Sequence, residues 1–131
     1  MRGSCLCGGV TFEVTEPFVR VSMCHCTTCK AISGGVGTAT ARVPTSAIHV
    51  LTGRELITTY QPDEGTAKSF CSVCGSNLFG TGWPDSEATG VRLPALESFD
   101  DKPDMHIWVH SVAAWETLPD DGLPRHEQNA P

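Results

Sequence analysis

Cys24-His25-Cys26-Thr27-Thr28-Cys29, with Cys5-Leu6-Cys7-Gly8 far upstream and Cys71-Ser72-Val73-Cys74-Gly75 far downstream, holds all seven cysteines of the chain in groups of three, two and two. If no group is split, one useful division remains: Cys5, Cys7, Cys71 and Cys74 together, with Cys24, Cys26 and Cys29 left over. Four thiolates close a tetrahedral zinc site and hold a fold together, whereas three leave one position open to a substrate atom. Glycine follows each pair, as expected of a turn that swings its amides toward a metal and needs positive φ. The sequence therefore predicts one structural zinc joining residues near both ends of a domain. Such an ion contributes on the order of 10 kcal/mol to the folding of small metal-dependent domains.

Disulfides are the first rival, because small cysteine-rich chains are often secreted scaffolds. Met1-Arg2-Gly3-Ser4-Cys5 leads straight into the motif, and no apolar run is long enough for a signal peptide or a membrane span. Reduced thiols and a cytoplasmic location are the expectation, and an odd number of cysteines cannot pair fully. An iron–sulfur cluster is the second rival, but the usual C-x2-C-x2-C spacing is absent. A histidine as fourth ligand would make the triplet structural too, with His25, His49, His106, His110 and His126 as candidates. His25 lies between two ligands and is expected to point away from the ion they share. The others are remote in sequence, which alone does not exclude them.

At 131 residues the chain is long enough for one domain with a modest core, expected over 1–117, followed by a surface or frayed tail over 118–131. The net charge of −6 and the absence of a basic cluster argue against nucleic acid as a partner. Seven thiolates against two divalent ions would lower that charge further. Val10, Phe12 and Val14 alternate with polar residues, as do Val19, Val21 and Met23. Strands are also predicted at Ile48–Leu51, Leu56–Tyr60, Ala67–Phe70 and His106–His110, with turns every eight to twelve residues or so, the spacing of an all-β domain. Pro84 and Gly90 read as loop punctuation, and residues 93–101 as an irregular acidic loop. Cys26 and Cys29 share the i, i+3 spacing of one short helical turn.

Cys5-Leu6-Cys7-Gly8-Gly9-Val10, Cys24 to Lys30, Phe70-Cys71-Ser72-Val73-Cys74-Gly75-Ser76-Asn77-Leu78 and Lys102-Pro103-Asp104-Met105-His106-Ile107-Trp108-Val109 recur in that order along nearly the whole chain. On these residues the protein resembles the glutathione-dependent formaldehyde-activating enzyme family. The resemblance implies a mainly β, zinc-pinned fold of the β-tent kind with little helix. It implies two zinc ions per chain, a structural one on Cys5, Cys7, Cys71 and Cys74 and a catalytic one on Cys24, Cys26 and Cys29. The activity implied is carbon–sulfur lyase chemistry that makes or breaks a thiol–aldehyde adduct, in the founding case between glutathione and formaldehyde.

The donor set suits that chemistry. Three thiolates leave a zinc complex one negative charge, a weak Lewis acid ill suited to ionising water but suited to another sulfur. His25 is the nearest titratable group in sequence for proton transfer, although a packing or orienting role is the commoner one for a ligand's neighbour. Trp83, Trp108 and Trp115 could roof a cleft, but aromatics in a small β domain are usually core. Lys30 and Arg42 could pair with a substrate carboxylate; surface solvation is the default. Glu97, Asp100 and Asp104 would repel an anionic thiol if they lined the site. The alternative from another class is a zinc-stabilised module that binds a small molecule or a protein without chemistry. Oligomeric state is not encoded legibly.

Overall fold

The short apolar alternations fold as ten strands and one short helix, with four single 3-10 turns between them, in a computed structural model that describes residues 1–98 and 100–131. In chain order these are β1 (Arg2–Ser4), β2 (Thr11–Val14), β3 (Arg20–Cys24), α1 (Thr27–Ser33), β4 (Thr38–Pro44), β5 (Ile48–Thr52), β6 (Ile57–Tyr60), β7 (Lys68–Cys71), β8 (Asn77–Gly80), β9 (Ala88–Arg92) and β10 (Met105–Ile107). A three-stranded sheet runs β1-β2-β5 and a seven-stranded sheet runs β10-β3-β4-β9-β8-β7-β6. Among the strands of the described residues, only β10 joins its neighbour, β3, in parallel. This is the mainly β fold with little helix that the turn spacing predicts.

Cross-strand register gives the large sheet two unlike faces, because successive side chains alternate. Val21, Ala41, Val91 and Phe79 are neighbours on one face, and all are buried. The small sheet packs on this face through Phe12, whose ring meets Phe79 edge-on at 5.0 Å between centroids. β1 carries Gly3 because a Cβ there would stand 2.2 Å from the Phe12 ring. Cys5 and Cys71 belong to the same core. On the opposite face lie a row of Ser22, Thr40 and Arg92 and a row of Arg20, Arg42, Gly90 and Gly80.

Several local expectations are corrected. Val19 is 72% exposed just ahead of β3, and within β3 the adjacent Val21 and Ser22 are both buried. An inner strand covered on both faces loses the alternation that a half-buried strand shows. Gly90 sits in the middle of β9 rather than in a loop, packed so closely on β4 that a Cβ would lie 2.5 Å from Thr40 Cγ2. The strand expected at His106–His110 stops at Ile107, since Trp108 adopts φ 57° and a 3-10 turn follows. In the expected acidic loop Leu96 is buried and bridges Gly3, while Phe99 lies outside the described residues.

Residues 118–131 return along β10. His106 N–H donates to the Pro124 carbonyl and His126 N–H to that of His106, both at 2.9 Å, and Trp108 N–H reaches the Gln128 carbonyl at 3.0 Å. His106 Nε2 donates to Asp121 Oδ2 at 2.8 Å, and that hydrogen bond holds the carboxylate below its usual range. A lowered carboxylate value means that the clasp is complete above the ordinary range near 4 and loosens only as pH falls through the lowered one. Asp121→Asn should therefore speed hydrogen exchange at the Trp108 and Val109 amides while leaving β4 protected. Phe12→Ala, which empties the core centre, should lower unfolding free energy by about 3–5 kcal/mol, seen as a lower denaturant midpoint at unchanged slope.

Candidate functional site

The two cysteine groups come together as separate clusters. In each, the sulfurs lie within 4.8 Å of one another: Cys5, Cys7, Cys71 and Cys74 in one, Cys24, Cys26 and Cys29 in the other. Cys5 Sγ is 3.5 Å from Cys7 Sγ, and Cys7 Sγ is 4.0 Å from Cys71 Sγ. A tetrahedron with zinc–sulfur bonds of 2.3 Å has edges of about 3.8 Å, so this donor set fits such an ion. Both pairs sit on the expected turns: Gly8 has φ 77° and Gly75 φ 79°, and their amides donate to the Cys5 and Cys71 carbonyls. The Ser76 hydroxyl bonds to Cys74 Sγ at 3.3 Å and is the largest cause of its fall to about 5. Val10 N–H donates to Cys5 Sγ at 3.2 Å.

The triplet forms where β3 ends. Cys24 is its last residue, Cys26 caps α1 and accepts the Cys29 amide at 3.3 Å, and Cys29 lies in the first helical turn. Hydrogen bonds from Cys24 and then Cys29 hold Cys26 far below the ordinary thiol range, so one thiolate is already favoured there. Among the described residues no histidine or carboxylate joins either cluster. The three sulfurs could hold a metal ion, and they open into a cavity of about 560 Å³.

That cavity contains residues that the sequence reading passed over. Arg20, Lys68 and Arg92 line it together with Arg42, an expected candidate, and no acidic side chain does so among the described residues. Lys68 and Arg92 are only 8% and 4% exposed. Burial pushes both groups toward their neutral forms, and for Lys68 the adjoining Arg92 charge adds to this. A signal was present: positions 20, 22 and 24 and positions 40 and 42 are the polar alternates of strands whose other face is apolar. Lys30 instead bonds to the Ser111 carbonyl and lies 3.8 Å from Glu116. Asp104 accepts the Val21 amide, Asp100 the Ser98 hydroxyl, and the Glu97 amide bonds to Arg2, so the acidic loop is engaged elsewhere.

On the other side of β3, His25 and Met23 face a second, largely apolar cavity of about 590 Å³ shared with His106, Trp115 and Asp121. His25 Nδ1 is 3.3 Å from the Val36 carbonyl and its Nε2 is 2.9 Å from His106 Nδ1. With Asp121 at the far end, the two rings join the Val36 carbonyl to a carboxylate in one hydrogen-bonded chain. Burial is the main cause that keeps His25 toward its neutral form. Its backbone N–H also donates to the Ile107 carbonyl, docking the triplet on β10. Trp83 lies in the core against Phe79, Trp108 packs on the triplet, and Trp115 is 76% exposed.

Among the described residues no helix is long and apolar enough to cross a membrane. A Halomonas elongata protein whose name places it with the glutathione-dependent formaldehyde-activating enzymes is 33% identical over 125 residues, covering 88% of this chain and 78% of that protein. A crystal structure of a Rhodobacter sphaeroides protein superposes with a TM-score of 0.63 at 25% identity, covering 96% of this chain and 99% of that one. The sequence profile of the glutathione-dependent formaldehyde-activating enzymes matches residues 1–111, and the chain belongs to that family.

Proposed function

We propose that the protein is a zinc-dependent carbon–sulfur lyase that makes or breaks a thiol–aldehyde adduct of the S-hydroxymethyl glutathione type. The observation that carries this reading is a group of three cysteine sulfurs with no fourth protein ligand among the described residues, opening into a cavity. On this reading Cys24, Cys26 and Cys29 hold the reactive zinc and Cys5, Cys7, Cys71 and Cys74 a structural one. Residues 1–117 carry the metal ligands and residues 129–131 of the tail line the same cavity, in a reducing, cytoplasmic setting suited to free thiols. The partner is a small molecule rather than nucleic acid or a membrane.

Zinc on three thiolates supplies activation of a thiol at neutral pH. The carbon–sulfur bond forms as the thiol sulfur adds to the carbonyl carbon, and the proton lost from sulfur ends on the carbonyl oxygen. The chain's own contribution is positioning. Cys26, favoured as thiolate, and the Cys29 amide fix the turn; Ser22 and Thr40 give the floor hydroxyls beside the sulfurs. His25 acts by holding the triplet loop on β10, because both its ring nitrogens are engaged on the far side of the strand.

Two measurements test this. Plasma mass spectrometry should find two zinc ions per chain in the zinc-loaded protein and one in a folded Cys26→Ser variant, whereas Cys74→Ser should yield little soluble protein. One zinc in both wild type and Cys26→Ser, after zinc add-back, would favour a non-catalytic binding module. Exchange of formaldehyde with glutathione, followed by NMR line shape or saturation transfer, should fall by a factor on the order of 100 or more in Cys26→Ser. An unchanged exchange rate would remove the triplet from the chemistry.

A further inference from the structure

The cavity at the three cysteines holds more positive charge than a metal on thiolates needs. Three thiolates around a divalent ion leave one net negative charge, yet Arg20, Arg42, Lys68 and Arg92 line the wall and no acidic side chain does among the described residues; residues Asn129, Ala130 and Pro131 of the returning tail close its edge. Arg42 is exposed at the rim and Arg20 half-buried, as solvated charges usually are. Lys68 and Arg92 are not: they are 8% and 4% exposed. Arg92 gives Nη1 to Thr40 Oγ1 at 2.7 Å, while its Nε and Nη2 are buried with no partner in the protein. Lys68 uses one of its N–H groups on Thr66 Oγ1 at 2.9 Å.

Nε and Nη2 are the edge of a guanidinium that meets both oxygens of a carboxylate in two parallel hydrogen bonds. A Cβ on Gly80 would stand 2.6 Å from Arg92 Nη2, so only glycine leaves room for the guanidinium in this place. Two cations buried side by side repel and lose hydration, and an anion between them relieves both penalties.

We propose that Lys68 and Arg92 are specificity-determining residues that bind a carboxylate carried by the thiol–aldehyde adduct. The inference rests on the lyase reading for the identity of the adduct, but not for the binding of the anion. The carboxylate can come from the thiol or from the aldehyde, and the two sources are separable.

Isothermal titration calorimetry on the zinc-loaded protein decides the thiol side, with 3-mercaptopropionate and 3-mercaptopropionamide as probes of equal size that differ by one charge. The carboxylate should bind at least about tenfold more tightly, and the preference should shrink as sodium chloride is raised, as for a charge pair. Lys68→Met and Arg92→Lys should each cut the preference to about threefold or less, Arg92→Lys because an ammonium keeps the charge but loses the fork. The aldehyde side is read by NMR as adduct exchange of 2-mercaptoethanol with glyoxylate against acetaldehyde, with the same variants. A carboxylate preference on one side identifies the source. Equal behaviour of charged and neutral probes on both sides would overturn the proposal, as would a preference that survives both substitutions. The wild-type comparison decides even where Arg92→Lys does not fold. Adduct exchange without charge preference would leave the lyase reading standing and this inference refuted; carboxylate binding without any adduct exchange would do the reverse.

Discussion

Cys7 and Cys71 are 64 residues apart in the chain and their sulfurs 4.0 Å apart in space. Four sulfurs gathered that closely make a poor core on their own, since thiols hydrogen-bond weakly and neighbouring thiolates repel without a cation between them. With an ion of suitable size the same geometry would become a clasp worth on the order of 10 kcal/mol. It binds the turn after β1, in the small sheet, to the turn after β7, in the large one. The packing of Phe12 on Phe79 lies beside this clasp, in the same core cluster as Cys5 and Cys71. With such an ion bound, the relative placement of the two sheets would rest on the sulfurs as well as on the apolar contacts, as expected of a chain with a modest core.

The alternation of β3 then divides the remaining chemistry. Ser22 and Cys24 project to one side, with Cys26 following, and Met23 and His25 to the other. The triplet and the His25–His106–Asp121 chain therefore share a strand but not a cavity. Their link is mechanical: β10 pairs with β3 in parallel, and the returning tail closes over β10. A triplet on a free loop would have to be ordered by the metal alone. Here the His25 amide and imidazole hold it in advance, which is the usual role of groups just outside a metal's ligands.

The grouping of the cysteines was legible because metal sites are built from short, punctuated segments whose spacing survives in one dimension. The same holds for β2 and β5, where Phe12, Val14, Ile48 and Val50 mark the face turned to the core. β4 and β9 were not legible, for a physical reason. Thr38–Pro44 and Ala88–Arg92 devote one face to the core and the other to threonine, arginine and glycine, so neither shows a plain strand pattern, and Gly90 reads as a break. Those are the strands that floor the three-cysteine cavity. Where a sequence departs from its own local rules, a working surface is a common cause. Lys68 was hidden differently: lysine is solvated by default, and only the fold reveals that β7 buries it.

A chain of net charge −6 that surrounds one cavity with cations sets up a field opposite to that of its surface. Low-dielectric walls focus such a field, raising the local concentration of small anions over neutral analogues before any contact is made. The contacts then have to offset a real penalty, because a buried donor without a partner costs about 1–3 kcal/mol, a large part of a small domain's stability. Arg92 carries two such donors. The amide of Asn77 is also unpartnered, and nothing in the structure explains it. For Arg92 an explanation exists, since it lines the three-cysteine cavity together with Lys68. A group that is destabilising in the empty protein and satisfied in the complex contributes to affinity by the same amount that it withholds from folding. Discrimination by charge is in that sense already present in the unliganded fold.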